Sequence, residues 1–159
     1  MKDPIQKYFY IGTIQWMTHP PMKYKLLDSI KTLVADEFFT AVEITKIEDE
    51  AARKKVRKML EQSHMKVCYG AQPRILGPKL NSNDMDEVER LKAELTLIEA
   101  IDEADQMGAK GIAFFAGKWH EKPTDEAYRL LLKTTRTTCS SAGQNGRWVR
   151  MRMLAQPRT

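Results

Sequence analysis

The 159-residue sequence has no aspartate or glutamate after Glu126, only two cysteines, three histidines and no glycine-rich phosphate motif. Each shortage removes a class of reading. All 21 carboxylates lie before Ala127, while five of the 26 basic residues, Arg136, Arg147, Arg150, Arg152 and Arg158, lie beyond Lys133. The 21 basic residues of the body balance its acids, so the net charge of +5 belongs to the tail, which argues against nucleic acid as a partner of the body. Cys68 and Cys139 are too few and too far apart for a disulfide framework or a zinc motif. His19, His64 and His120 show no metal-ligand spacing, so no metal or other cofactor is assigned to this chain. No apolar run approaches the roughly 20 residues of a membrane span. Met1-Lys2-Asp3-Pro4 lacks the apolar stretch of a signal peptide, and a cytoplasmic location without a membrane partner is expected. Neither G-x-G-x-x-G nor G-x-x-x-x-G-K-[ST] follows a strand-like segment.

What is present is an alternation of strand and helix. Residues 89–119 show one full step: Leu91, Leu95, Ile98, Ala100, Ile101, Ala104 and Met107 recur at helical spacing, with Glu89, Lys92, Glu94, Glu99, Asp102 and Glu103 mostly on the other face. Gly108 suits the left-handed turn that ends a helix. Ile112-Ala113-Phe114-Phe115-Ala116 then reads as a strand covered on both faces. Upstream, Tyr8-Phe9-Tyr10-Ile11-Gly12-Thr13-Ile14 predicts a first strand. The stretch from Gln15 through His19-Pro20-Pro21 predicts a loop. Leu26, Leu27, Ile30, Leu33, Val34 and Phe38 give a helical stripe, Ala41-Val42-Glu43-Ile44 a second strand, residues 48–63 a charged surface helix, and Lys66-Val67-Cys68-Tyr69-Gly70-Ala71 a third strand. The connection 72–85 is long enough to suggest a functional loop, with Asn83 or Asp84 as the cap of the next helix.

Pro123-Thr124-Asp125-Glu126 opens a further helix carried by Ala127, Leu130 and Leu131. The threonine-rich run 134–141 has poor helix propensity, and residues 143–146 look like a turn before a candidate fifth strand at 148–154. These observations divide the chain into a βα-repeat domain, 1–133, and a basic tail, 134–159. The tail uses only arginine and no carboxylate, as a segment not selected with the body would after a shift of reading frame; an ordinary basic extension has the same composition. Four βα units and a fifth strand suit an α/β fold with a parallel sheet. The pattern leaves open whether the sheet is part of a barrel or an open flavodoxin-like one.

Ile11-Gly12-Thr13, Ala41-Val42-Glu43-Ile44-Thr45, Ser63-His64-Met65-Lys66-Val67 leading into Tyr69-Gly70-Ala71-Gln72-Pro73, and Ile101-Asp102-Glu103-Ala104 through Gly108-Ala109 to Phe115-Ala116-Gly117-Lys118 resemble the N-terminal half of the xylose-isomerase-like TIM barrels, the sugar phosphate isomerase/epimerase superfamily. The resemblance covers about residues 8–140 and implies a half TIM barrel of about four βα units. It also implies descent from an enzyme that uses a divalent metal to move a proton or hydride between neighbouring carbons of a sugar. In that family the metal is held by carboxylates and a histidine on later strands, beginning with a glutamate at the end of the fifth. Here that place reads Met151-Arg152-Met153-Leu154, which offers no hard oxygen ligand. The expectation is a truncated isomerase-like domain, inactive as a lone chain.

Residues just past strand ends are where α/β folds hold ligands. Glu43 is the candidate catalytic carboxylate, with a structural ion pair as its alternative reading. Gln15, Trp16, Gln72, Lys118 and His120 are the candidate substrate-binding residues, supplying amides, an aromatic face and a cation for a sugar. Two other functions compete. One is a half barrel completed by a second copy or a companion chain, which would cover its open edge. The other is a non-enzymatic module that binds nucleic acid or an acidic partner through its arginine tail.

Overall fold

The computed structural model describes residues 4–115, 125–144 and 148–152, the last of these as backbone. In chain order it forms β1 (Gly12–Ile14), α1 (Gln15–Thr18), α2 (Leu26–Ala35), β2 (Ala41–Ile44), α3 (Glu50–Gln62), β3 (Lys66–Gly70), α4 (Gln72–Leu76), α5 (Glu87–Gln106), β4 (Gly111–Phe115), α6 (Asp125–Gln144) and β5 (Trp148–Arg152), after a short 3-10 turn at Ile5–Lys7. The five strands form one sheet in the order β1-β2-β3-β4-β5, and every pairing is parallel. A flavodoxin-like sheet reverses direction at its first strand, giving the order 2-1-3-4-5. The sequential order here excludes that alternative and is the order of a barrel wall.

Strand periodicity divides the sheet into two faces. Val42 and Ile44 of β2, Val67 and Tyr69 of β3, and Ile112 and Phe114 of β4 are buried beneath the helices. Ile30 and Leu33 of α2, Val56 and Leu60 of α3, Leu97 and Ile101 of α5, and Ala142 of α6 complete that core. The other face carries Ala41, Glu43 and Cys68, all partly exposed. β4 is buried at every position from Gly111 to Phe114.

Several boundaries differ from the sequence reading, each for a local reason. β1 is three residues long because β2 begins at Ala41, so the preceding aromatics have no strand to pair with; Tyr8, Phe9 and Tyr10 are exposed. Gln15–Thr18 forms one helical turn instead of a loop, since the restriction before Pro20 falls on His19, which takes φ −126°, ψ 75° and ends that turn. Phe38 lies past the end of α2 and is exposed. The cap of α5 is Asp86, whose side chain accepts from the Val88 and Glu89 amides, while Asp84 accepts from the amide of Asp86 itself.

The outward face of α5 is also rotated from the expected one. Ala100, Ile101, Ala104 and Met107 are buried as predicted, but Leu91 and Leu95 are exposed, whereas Arg90 and Glu103 are buried. Buried charge is tolerable only when paired. Arg90 donates to Glu87, Glu94 and the Thr134 hydroxyl, and Glu103 accepts from Arg74 and the Ile47 amide.

The expected break at Thr134 is absent: α6 runs unbroken to Gln144, so the 133/134 division falls inside one helix. Thr137 and Thr138 donate their hydroxyls to the carbonyls of Lys133 and Thr134, which satisfies them within the helix. Thr134 and Thr138 are buried against the body.

Candidate functional site

The carboxyl ends of β1, β2 and β3 bring three side chains together over Gly70. A Cβ built on Gly70 would lie 2.6 Å from Gln72 Oε1 and 2.7 Å from Glu43 Oε1, and would overlap Trp16 Cη2. Only glycine permits this approach, and it forms the floor of the site. Glu43 reaches it from β2, Trp16 from α1 directly after β1, and Gln72 from the first turn of α4 directly after β3. The Thr45 hydroxyl donates to the Gly70 carbonyl at 2.8 Å and fixes the end of β2 against the end of β3.

Gln72 is positioned by the helix that carries it. In α4, Arg74 donates to Glu103 at 3.0 Å and to Glu99 at 2.9 Å, and lies 3.4 Å from the Tyr69 hydroxyl. Glu103 also accepts from the Ile47 amide at 2.8 Å, so the segment after β2 and the helix after β3 share one carboxylate of α5. Burial pushes the Tyr69 hydroxyl above its ordinary range, so it stays protonated beside this pair.

Within the site, Gln72 Nε2 lies 3.5 Å from Glu43 Oε1, a long contact. The amide oxygen of Gln72 is buried and has no hydrogen-bond partner among the described residues. Cys68 stands beside Glu43 in the strand register. Burial, and then the Glu43 charge, push its thiol up, so it is no nucleophile at neutral pH. The arrangement offers one carboxylate acceptor, one amide with an unused acceptor, and an indole wall. That set can hold vicinal hydroxyls against an apolar ring face.

A hard divalent cation needs more oxygen than this. Among the described residues no group of three or more His, Cys, Asp or Glu is placed to hold a metal. The fifth strand sets Trp148, Arg150 and Arg152 in register with Gly111, Ala113 and Phe115, with no carboxylate at any of its positions. The described residues do not fit the metal that the resemblance implies.

The remaining candidates separate. Gln15 is buried and donates its amide to Ser29 Oγ at 2.8 Å, tying α1 to α2. Lys118 and His120 lie outside the described residues, as do Met153 and Leu154. The 72–85 connection begins with α4, and its polar run is buried: Asn81, Ser82 and Asn83 are almost inaccessible, with Ser82 Oγ 3.5 Å from the Phe115 carbonyl at the end of β4. Gly70 is the residue that the sequence reading did not assign to the site, although it lay in the third strand two positions before Gln72.

The sequence matches no protein-family profile and no curated protein. Solved structures do match. A D-tagatose 3-epimerase-like protein superimposes with a TM-score of 0.73 at 15% identity, covering 90% of this chain and 52% of that one. L-ribulose 3-epimerase gives 0.72 at 13% identity, covering 89% and 48%. A xylose isomerase domain protein from Planctomyces limnophilus gives 0.63 at 13% identity, covering 91% and 54%. The fold is that of half a TIM barrel. At these identities the likeness concerns architecture, and the chain spans about half the length of the structures it matches. No helix among the described residues is long and apolar enough to cross a membrane.

Proposed function

We propose that the chain is a sugar-binding half barrel of the isomerase/epimerase type that holds its ligand without turning it over as a lone chain. The carrying observation is the convergence of Trp16, Glu43 and Gln72 on Gly70 at the strand ends, where the buried Gln72 Oε1 lacks a donor. A sugar hydroxyl supplies that donor, a second hydroxyl donates to Glu43, and the indole of Trp16 covers the C–H face of the ring. Proton transfer between carbons needs a second base or an electrophile, and the described residues provide neither beside Glu43.

The test is a titration with ketohexoses such as D-tagatose and D-fructose, followed by NMR shifts of the Trp16 indole and the Gly70 amide, with and without Mn²⁺. Weak saturable binding is expected, reduced about tenfold in Glu43→Gln by loss of a charge-assisted hydrogen bond, with no epimer formed in either arm. Absence of shifts at Trp16 and Gly70 overturns the binding site. Metal-dependent epimer formation overturns the inactivity of the lone chain.

A second reading rests on the open sheet. Neither β1 nor β5 pairs on its outer edge among the described strands, and Ile14, Glu43, Cys68 and Phe115 are only partly buried on the uncovered face. A second copy or a companion chain that continues the sheet would enclose the same site.

A further inference from the structure

The polar side chains over Gly70 bring two acceptors to one point. A Cβ on Gly70 would stand 2.6 Å from Gln72 Oε1 and 2.7 Å from Glu43 Oε1, so the two oxygens are close enough for one nitrogen to bond both at about 2.9 Å. The Gln72 amide cannot be turned over to relieve this. Its Nε2 lies 3.5 Å from Glu43 Oε1, and the reverse orientation would set two oxygens against each other. The carboxylate thus keeps the amide oxygen as the orphaned atom, buried and without a donor among the described residues. Of the described residues that meet there, Trp16, Glu43, Gly70 and Gln72, only Glu43 carries a charge, and the indole of Trp16 reaches the same point.

A hydroxyl matches this set poorly. It donates one hydrogen and so serves one of the two oxygens, and its own lone pairs then face a carboxylate. An ammonium group has three donors and no acceptor. One such nitrogen satisfies Gln72 Oε1, forms a charge-assisted hydrogen bond with Glu43 and rests against an indole, whose π-system attracts cations. A carboxylate has roughly four lone-pair sites, so this bond does not require Glu43 to give up a contact it already makes. We propose, resting on the sugar-binding reading of this site, that its ligand is an amino sugar recognised through a protonated primary amine. Neutral ketohexoses then bind as weaker analogues, with hydroxyls in place of the amine.

D-glucosamine, N-acetyl-D-glucosamine and D-glucose differ at a single carbon and separate charge from shape. Each is titrated into the whole chain in mildly acidic buffer at moderate salt, beside D-tagatose, and followed by NMR shifts of the Trp16 indole and the Gly70 amide. D-glucosamine is expected to bind about tenfold more tightly than D-glucose, the difference between a charge-assisted and a neutral hydrogen bond. N-acetyl-D-glucosamine, uncharged and with one N–H, is expected to bind no more tightly than D-glucose. Glu43→Gln keeps the shape of the side chain and removes its charge, and is expected to erase the preference; the comparison of sugars in the parent chain stands without it. Equal binding of D-glucosamine and D-glucose overturns the proposal. So does N-acetyl-D-glucosamine binding as tightly as the amine, or a preference that survives in folded Glu43→Gln. Shifts with D-tagatose in any of these cases leave the sugar-binding reading standing, whereas no shift from D-tagatose or D-glucosamine overturns both.

Discussion

The guanidinium of Arg90, with no solvent exposure, donates to the Thr134 hydroxyl at 2.7 Å and so joins α5 to α6 across 44 positions of sequence. The same group binds Glu87 and Glu94, and Lys133 reaches Glu87 at 2.6 Å. Residues on both sides of the apparent composition boundary are thus held by one ion cluster.

Removing Arg90 strands a carboxylate. Glu94 is only 12% exposed, so Arg90→Ala leaves it nearly buried and unpaired. The expected loss is about 3 kcal/mol, read from urea unfolding. Thr134→Val removes only the acceptor and is expected to cost about 1.5 kcal/mol. Equal melting of Arg90→Ala and the parent chain would remove the cluster from any account of stability.

Acid weakens this clamp in a defined window. The hydrogen bond from Arg90, and then that from Lys133, hold Glu87 down to about 2 from its ordinary 4.5. A carboxylate whose folded value lies below its unfolded one stabilises fully above the unfolded value, and the contribution is lost as the pH falls through the folded value. The urea midpoint should fall between about pH 4.5 and pH 2, and fall less steeply in Glu87→Gln. Parallel curves for the two proteins would contradict the assignment.

Gly70 tolerates no side chain. Gly70→Ala drives a methyl group into Trp16, Gln72 and Glu43 at once. Its expected cost is about 2 kcal/mol as an overpacked site, together with loss of the sugar-dependent NMR shifts. Trp16→Ala should restore part of the stability and none of the binding. A Gly70→Ala protein that binds ketohexose as the parent does would show that the ligand sits elsewhere.

Two helix ends use the same device with different residues. α3 and α5 each close with paired backbone bonds, Met65 to Leu60 and His64 to Glu61 in one, Ala109 to Ala104 and Gly108 to Asp105 in the other. The left-handed position holds His64 at φ 57° in α3 and Gly108 at φ 69° in α5. His64→Gly should therefore stabilise by about 1 kcal/mol, and Gly108→Ala should destabilise by a similar amount. Thermal melts of the two variants moving in the same direction would contradict this.

Much of the scaffold was legible because local signals agreed with tertiary demands. Ala41–Ile44 has the same boundaries in sequence and structure, and Gly108 ends its helix as its conformational freedom predicts. Trp16, Glu43 and Gln72 were nominated only as strand-end residues, yet the structure gathers them at Gly70. Gln15 had the same nomination but turns to Ser29, a choice that depends on where α2 docks. The burial of Arg90 and Glu103 was hidden for a related reason. Hydropathy assigns a charged residue to solvent, and the partners that make burial affordable come from distant segments at Thr134, Arg74 and Ile47. The continuation of α6 was obscured by threonine, whose low helix propensity is offset here by hydroxyl bonds to the preceding turn.

The strand order β1-β2-β3-β4-β5 also fixes a construction sequence. Each βα unit docks on the edge left by its predecessor and never has to wait for a strand made later. A chain emerging from the ribosome can therefore gain sheet one strand at a time, with the growing edge always being the newest one. Appending or removing a unit at that edge leaves every earlier pairing intact, so architecture of this kind can be lengthened or shortened without being redesigned.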